Sequence, residues 1–227
     1  MARPFKVTND VYCVGGEGIS SSGDCMVYLI DCGNDELMLI DSGLADPERI
    51  LENIESAGFD PMDVTHHIIT HCHIDHIGNS ARLKKLLQFR VYAHTPDSES
   101  IEKGGVETGA DLYNVTYEPV EVDVKLSKPN ETLAIGKHHM NVLHVPGHTP
   151  GGICLYIDIL GERVIFAQDV HGPIFEELGS DRRQFVESLK KERDLNADAL
   201  CEGHFGVYRG KDKVRKYIEG YIREFST

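Results

Sequence analysis

Short apolar runs alternate with amphipathic segments along the whole of this chain. Strands are predicted where apolar residues run together or alternate with polar ones, and helices where they recur every three or four residues. The predicted strands are Val11–Val14, Cys25–Asp31, Glu36–Asp41, Val64–Thr70, Arg90–Ala93, Val120–Leu126, Thr132–Ile135, Met140–Val145, Ile153–Ile159, Arg163–Ala167 and Ala199–Cys201. The predicted helices are Pro47–Ala57, Gly78–Leu87, Ser98–Lys103, Arg182–Arg193 and Lys211–Phe225. Since no linker-like stretch interrupts this alternation, we predict a single domain over residues 1–227, with two sheets inside and helices outside.

The composition adds the expectation of a globular protein with a strongly acidic balance. Hydrophobic residues make up 41% of the chain and charged residues 26%, and no apolar run is long enough to cross a bilayer. The net charge of -14 argues against a nucleic-acid partner, because phosphate binding needs a surface rich in Lys and Arg. The first ten residues lack the apolar core of a signal peptide, and the six cysteines form no Cys-x-x-Cys pair. We therefore expect free thiols, a cytoplasmic location and no membrane partner.

The residues between Thr70 and Asn79 carry the densest group of metal-ligating side chains. Directly after the apolar run Val64–Thr70, six positions hold four such residues, namely His71, His73, Asp75 and His76. Unpaired burial of imidazole and carboxylate groups is costly, and a bound cation offsets that cost. A metal site requires further ligands elsewhere in the chain, whereas a His-rich surface loop, the alternative interpretation, does not.

Three further candidate ligands each follow a later apolar strand. His148 comes after Met140–Val145, Asp169 after Arg163–Ala167 and His204 after Ala199–Cys201. Strand ends place functional loops on a rigid scaffold, so we expect these residues to meet. One predicted ion is held by His71, His73, His148 and Asp169, and a second by Asp75, His76 and His204 with Asp169 shared. Sites with three or four nitrogen and oxygen ligands are typical of catalytic zinc, although Fe(II) or Mn(II) also suits these ligands.

Taken in order, these motifs resemble those of the metallo-β-lactamase fold superfamily. The resemblance rests on His-x-His-x-Asp-His, on Pro-Gly-His-Thr-Pro-Gly-Gly from Pro146 to Gly152, on Asp169 and on Gly203-His204. It implies an α/β (α+β) fold, a four-layer αββα sandwich with the metals at the edge between the sheets. It also implies that Asp41 orients a metal ligand. Within the superfamily the ligand set is similar to that of hydroxyacylglutathione hydrolases (glyoxalase II) and acyl-homoserine lactonases, and members are often dimers, which leaves a homodimer open.

A two-ion site of this kind predicts a dinuclear hydrolase of a small ester, thioester or lactone. Water shared by two cations becomes hydroxide near neutral pH and can attack a carbonyl carbon. Asp75 is the predicted proton carrier. His171 is a candidate for assisting the leaving group, with a purely structural histidine as the alternative. Lactonases commonly have Tyr three residues after the shared Asp, where this chain has Gly172, so the lactone class stays open.

Two other enzyme classes are weaker alternatives. A persulfide dioxygenase-like enzyme uses one Fe(II) held by two histidines and an aspartate, and the complete second set of ligands argues against it. A nucleic-acid-processing nuclease, as in relatives that process the 3′ end of tRNA, is disfavoured by the charge of -14. A small-molecule substrate is therefore expected.

Several other polar residues have structural interpretations. His66 and His67 lie within the strand before the metal motif, where we expect one to point inward and form hydrogen bonds. Tyr113 and Tyr117 either cover a substrate or pack their own loop.

Overall fold

Two sheets form the centre of the computed structural model, which describes residues 2–167 and 169–226; Met1, Gln168 and Thr227 lie outside the described residues. The first sheet has seven strands in chain order: β1 (Phe5–Thr8), β2 (Val11–Gly15), β3 (Val27–Asp31), β4 (Leu37–Ile40), β5 (Val64–Ile68), β6 (Arg90–His94) and β7 (Val124–Leu126). β1 to β4 pair antiparallel, and β4 to β7 pair parallel. In the parallel half of this sheet, the C-terminal ends of β5 and β6 therefore lie at the same edge.

The second sheet has six strands, which also follow chain order. They are β8 (Asn130–Ile135), β9 (His138–His144), β10 (Ile153–Ile159), β11 (Glu162–Phe166), β12 (Ala199–Cys201) and β13 (Val207–Arg209). Neighbours pair antiparallel except β11 and β12, which are parallel. This single parallel pair brings the ends of β11 and β12 together.

Six α-helices within the described residues connect and cover the sheets. They are α1 (Pro47–Ser56), α2 (Ile74–Ile77), α3 (Ser80–Leu87), α4 (Thr95–Lys103), α5 (Arg182–Asp194) and α6 (Lys211–Phe225). Short 3-10 turns occupy Pro61–Asp63, Val106–Thr108, Ala110–Tyr113 and Glu176–Leu178. No helix of the described residues is long and apolar enough to span a membrane.

Two of the predicted helices, α1 and α5, start at capping aspartates. The Asp46 carboxylate accepts a hydrogen bond from Arg49 N at 3.1 Å at the start of α1, and Asp181 accepts one from Gln184 N at 2.9 Å at the start of α5. Such caps satisfy backbone donors that the first helical turn leaves free. Residues four positions apart then face the core, such as Ile50 and Ile54 in α1.

Three buried clusters divide the molecule into four layers. The central cluster joins the facing sides of the sheets and includes Tyr28 and Met38 from the first sheet and Leu155 and Phe166 from the second. A second cluster packs α1, α3 and α4 on the outer face of the first sheet, and a third packs α5 and α6 on the second. The predicted four-layer αββα sandwich is confirmed. As also predicted, the six cysteines are free thiols, and all of them are buried.

Two strands begin later than predicted, because the backbone before them does not pair with a neighbouring strand of the sheet. The predicted strand Cys25–Asp31 begins only at Val27, because Cys25 N donates to Asp75 O at 3.3 Å and Met26 N to Gly203 O at 2.7 Å. The strand predicted at Val120–Leu126 pairs only from Val124. β1 and β13 were not predicted, since they are four and three residues long and gain their stability by pairing with a neighbouring strand.

Candidate metal centre

The centre lies where loops from both sheets meet at one edge. β5 ends at Ile68, and the chain then passes through Thr70, whose carbonyl accepts a hydrogen bond from Ile153 N of the second sheet at 2.9 Å. α2 follows at once, so that Asp75 and His76 lie in its single turn. The rigid strand and the short helix fix the spacing of the ligands without a long loop.

The seven predicted ligands come together in two groups. In the first group, one ligand atom from each of His71, His73, His148 and Asp169 lies within 4.8 Å of the others. In the second group, ligand atoms of Asp75, His76 and His204 satisfy the same distance. His204 is half-buried and the other six residues are buried.

Asp169 connects the two groups. Its Oδ2 lies 3.4 Å from His148 Nε2 of the first group and 3.3 Å from His204 Nε2 of the second. Its Oδ1 lies 3.3 Å from His76 Nε2. One carboxylate therefore reaches both groups, as the sequence predicts for a shared ligand.

Hydrogen bonds from outside the centre fix the tautomers of three histidines. His76 Nδ1 donates to Asp41 Oδ2 at 2.8 Å, and His148 Nδ1 donates to the Pro173 carbonyl at 3.0 Å. Thr70 Oγ1 donates to Asp41 at 2.7 Å and so accepts from His71 Nδ1 at 3.1 Å. Because each Nδ1 is engaged outside the centre, Nε2 is the nitrogen of each ring that faces the centre.

Asp41 holds these partners from a strained backbone conformation. Its φ is +57°, in the left-handed region that few non-glycine residues occupy. The carboxylate accepts from Thr70 N at 2.8 Å as well as from Thr70 Oγ1 and His76. Asp41 thus contacts one ligand directly and His71 through Thr70, which is the position that the resemblance implied.

The electrostatics of the metal-free centre keep part of it neutral. Burial and then the neighbouring imidazoles hold the pKa of His71 well below its usual value, and burial followed by His148 lowers the pKa of His73 to about 3. Burial opposes the charged form of His204, but Asp169 and Asp75 outweigh it and raise its pKa to about 10. Burial also opposes ionisation of Asp169, yet His76 and His204 hold its pKa well below the usual range.

This arrangement fits divalent cations. His73 Nε2, His148 Nε2 and Asp169 Oδ1 are buried and have no hydrogen-bond partner among the described residues. His71 Nε2 lies 3.1 Å from His73 Nδ1, and His76 Nε2 lies 3.3 Å from His204 Nε2. Ring nitrogens that converge at such distances can share a cation, and its binding would displace the proton of His204.

A cavity of about 270 Å³ opens onto the centre. His73, Asp75, His148, Asp169 and His204 form one part of its lining. His171 also lines it, as does Tyr113, whose hydroxyl interacts with the Asp75 carboxylate. Tyr117 does not line the cavity and instead packs its loop against α4, with its hydroxyl donating to the Ile101 carbonyl at 2.8 Å.

Two buried acids that support the centre were missed by the sequence interpretation. Glu202 Oε1 accepts from His171 Nδ1 at 2.8 Å, while Oε2 accepts from the backbone N–H groups of His204 and Phe205, each at 2.7 Å. The only sequence signal for Glu202 is its place two residues before a ligand. It ties the orientation of His171 to the loop that carries His204.

Asp97 in α4 plays a similar part for the loops around His73 and His148. It accepts hydrogen bonds from Cys72 N at 3.0 Å, Thr149 Oγ1 at 2.7 Å and Gly151 N at 2.5 Å. Cys72 therefore packs beside the ligands with its backbone held by Asp97, and burial keeps the pKa of its thiol well above the usual value. No sequence pattern distinguishes Asp97 from the other acids of its helix.

Comparisons with known proteins agree with this geometry. The family model described as "Metallo-beta-lactamase superfamily" matches residues 22–204. The chain is 34% identical to an uncharacterized protein of Aquifex aeolicus over 60% of the chain and 59% of that protein. It is 32% identical to a hydroxyacylglutathione hydrolase of Anaeromyxobacter dehalogenans over 58% of the chain and 42% of that enzyme. The match thus spans less than two thirds of the length of either relative.

A solved structure shares the whole fold at low identity. The metallo-beta-lactamase of Cronobacter sakazakii with a HARLDQ motif superposes with a TM-score of 0.83. The superposition covers 99% of this chain and 96% of that one, at 22% identity. At this identity the likeness establishes a shared fold.

Proposed function

The chain belongs to the metallo-beta-lactamase superfamily, and we propose that it is a dinuclear metal-dependent hydrolase of a small ester, thioester or lactone. The observation that carries the proposal is the contact of the Asp169 carboxylate with both groups of candidate ligands. A relative named hydroxyacylglutathione hydrolase supports hydrolysis as the reaction class. The cavity lining contains no Lys or Arg among the described residues, which favours a small molecule over a nucleic acid.

In this proposal seven residues hold two divalent ions. His71, His73, His148 and Asp169 would hold one, and Asp75, His76 and His204 would hold the other with Asp169 shared. Nitrogen and carboxylate ligands without a thiolate favour zinc, with Fe(II) and Mn(II) as the other candidates. When bound, such ions act as Lewis acids and lower the pKa of water toward neutrality.

The side chains of the cavity would orient the substrate and carry protons. The Asp75 carboxylate lies 3.1 Å from His204 Nε2 at the ligand end of the cavity, where it can accept a proton from the attacking water. His171 donates through Nδ1 to the buried Glu202, which leaves Nε2 available to form a hydrogen bond with the leaving group. Glu202 thereby orients His171 as a carboxylate orients a catalytic histidine in other enzymes.

The proposal is tested by replacing the shared carboxylate. We expect Asp169→Ala to lose bound metal and at least about 100-fold in kcat/KM, because both ions lose a ligand. Metal content is measured by elemental analysis, and turnover with a panel of esters, thioesters and lactones on metal-loaded protein. Asp212→Ala, which removes an exposed carboxylate of α6, is the matched control. Full hydrolysis by Asp169→Ala without bound metal would refute the scheme.

A further inference from the structure

The cavity lining combines two chemically different sets of residues. The set formed by the candidate ligands is polar and is where a scissile carbonyl would be placed. The remainder of the lining is formed largely by Leu112, Tyr113, Phe175, Leu178 and Phe205. Leu112, Tyr113 and Phe205 are 63%, 43% and 59% exposed, so apolar and aromatic surface remains open to solvent at the mouth. Exposed apolar surface continuous with a reactive cavity is typical of a substrate-binding wall.

Among the described residues, a single carboxylate outside the ligand set lines this cavity. Glu17 is exposed, and no basic side chain forms an ion pair with it within residues 2–167 and 169–226. The described lining also lacks Lys and Arg. A negatively charged group of a substrate at Glu17 would therefore meet a carboxylate with no Lys or Arg of the described lining to balance it, whereas a positively charged group would find a partner.

The backbone holds Glu17 in place. Gly16 N donates to Ser20 Oγ at 2.9 Å, and Gly16 O accepts from Ile19 N at 2.9 Å and Ser20 N at 3.0 Å. Asp24 in turn accepts from the Ser20 hydroxyl and from Leu44 N at 2.7 Å. Glu17 thus projects from a tight turn that is tied to buried residues. Because this turn is already ordered, binding a group at Glu17 costs little conformational entropy of the loop.

We propose that Glu17 determines specificity by selecting substrates with an alkylammonium group remote from the scissile bond. This inference rests on the proposed hydrolase function and names its substrate class. Aromatic rings of the cavity lining, from Tyr113, Phe175 and Phe205, add a surface that attracts an alkylated cation. The net charge of -14 further favours the approach of cationic over anionic substrates.

The test uses three para-nitrophenyl esters that differ only at the far end of a hexanoyl-length chain. One ends in trimethylammonium, one in the uncharged isosteric tert-butyl group and one in carboxylate. We expect metal-loaded wild-type protein to prefer the ammonium ester over its isostere by about five-fold in kcat/KM, as for one exposed ion pair. The carboxylate ester is expected to be the poorest substrate. Glu17→Gln should remove the preference between the first two.

Glu176→Gln is the matched control, because Glu176 is an exposed carboxylate that does not itself line the cavity, although its neighbour Phe175 does. It should keep the wild-type preference, and added salt should weaken that preference. Equal turnover of the ammonium and tert-butyl esters by wild-type protein would overturn the inference and leave the hydrolase proposal standing. If no ester is hydrolysed, the hydrolase proposal fails instead. Calorimetry with the corresponding trimethylammonium and tert-butyl carboxylic acids then decides the role of Glu17, since equal affinities of wild-type protein for the two overturn it.

Discussion

At the scale of single residues, neighbouring histidines of β5 differ in role from those that follow it. His66 contacts Tyr92 Oη and Glu36 Oε1, each at 2.9 Å, and His67 Nε2 lies 2.9 Å from Ser80 Oγ. Neither belongs to a group of candidate ligands. The expectation that one points inward and is hydrogen-bonded holds for His67, which is fully buried. Burial is the main cause that lowers the pKa of His67 to about 4, and the charge of Lys84 acts in the same direction.

This burial predicts a loss of stability in mild acid. The unfolded chain protonates His67 near pH 6.5, whereas the folded chain resists protonation down to about pH 4, so stability falls as pH drops through that window. His67 alone should contribute about 2 kcal/mol of the loss between pH 7 and pH 5. Urea unfolding of chelator-treated protein at both pH values measures it. His67→Gln should reduce the loss, and the exposed-site control His139→Gln should not; equal losses in all three proteins contradict the prediction.

At the scale of elements, the centre depends on close approach between loops of different strands. The loop after β12 passes against the Asp169 loop at Gly203, where a Cβ would lie 2.1 Å from Asp169 Oδ1. The loop with His148 packs on α4 in the same way, since a Cβ at Gly151 would lie 2.5 Å from Asp97 N. Glycines beside two of the ligands thus allow loops from separate elements to meet.

Gly203→Ala tests this close approach. The added methyl group must displace the Asp169 carboxylate, so we expect zinc affinity to fall by about 10- to 100-fold, as when the support of a ligand is lost. Competition with a chromophoric chelator measures the affinity. In the control Gly220→Ala nothing lies within 4 Å of the new methyl group in α6, and its stability should rise by up to about 1 kcal/mol with affinity unchanged. Wild-type affinity in Gly203→Ala would show that the carboxylate tolerates the methyl group.

At the scale of the whole molecule, the candidate ligands come from both sheets. His71, His73, Asp75 and His76 follow β5 of the first sheet, whereas His148, Asp169 and His204 follow β9, β11 and β12 of the second. Backbone bonds already join the two sides, such as Ile153 N to Thr70 O and Met26 N to Gly203 O. Bound metal would therefore crosslink the halves of the sandwich.

Metal binding should consequently raise the thermal stability of the entire domain. At about 100 times the dissociation constant, a ligand specific for the folded state adds about 2.7 kcal/mol. For a chain of this size that corresponds to about 5–10 °C in Tm. Differential scanning fluorimetry of metal-stripped protein with added Zn²⁺ measures the shift. Mg²⁺, which prefers oxygen ligands, serves as the control. An unchanged Tm with Zn²⁺ would show that the ions do not link the sheets.

Much of the fold and the candidate ligand set could be predicted from the sequence because the signals are local. Apolar strands and amphipathic helices are visible as periodic patterns, and each candidate ligand follows a strand directly in the chain. β1 and β13 could not be predicted, because pairing with a neighbouring strand, rather than a pattern within their own few residues, stabilises them.

The sequence by itself determined the layered sandwich and the seven candidate ligands, whereas the tertiary structure decided how those ligands are supported and what surrounds them. His171 meets Glu202 across 31 positions and Thr149 meets Asp97 across 52, and no periodic pattern records such contacts. The place of Glu17 in the same cavity lining as Tyr113, Phe175 and Phe205 likewise follows from packing between distant loops. The physical reason is that backbone patterning is set by near neighbours, while tautomers and cavity charge are set by residues that only folding brings together.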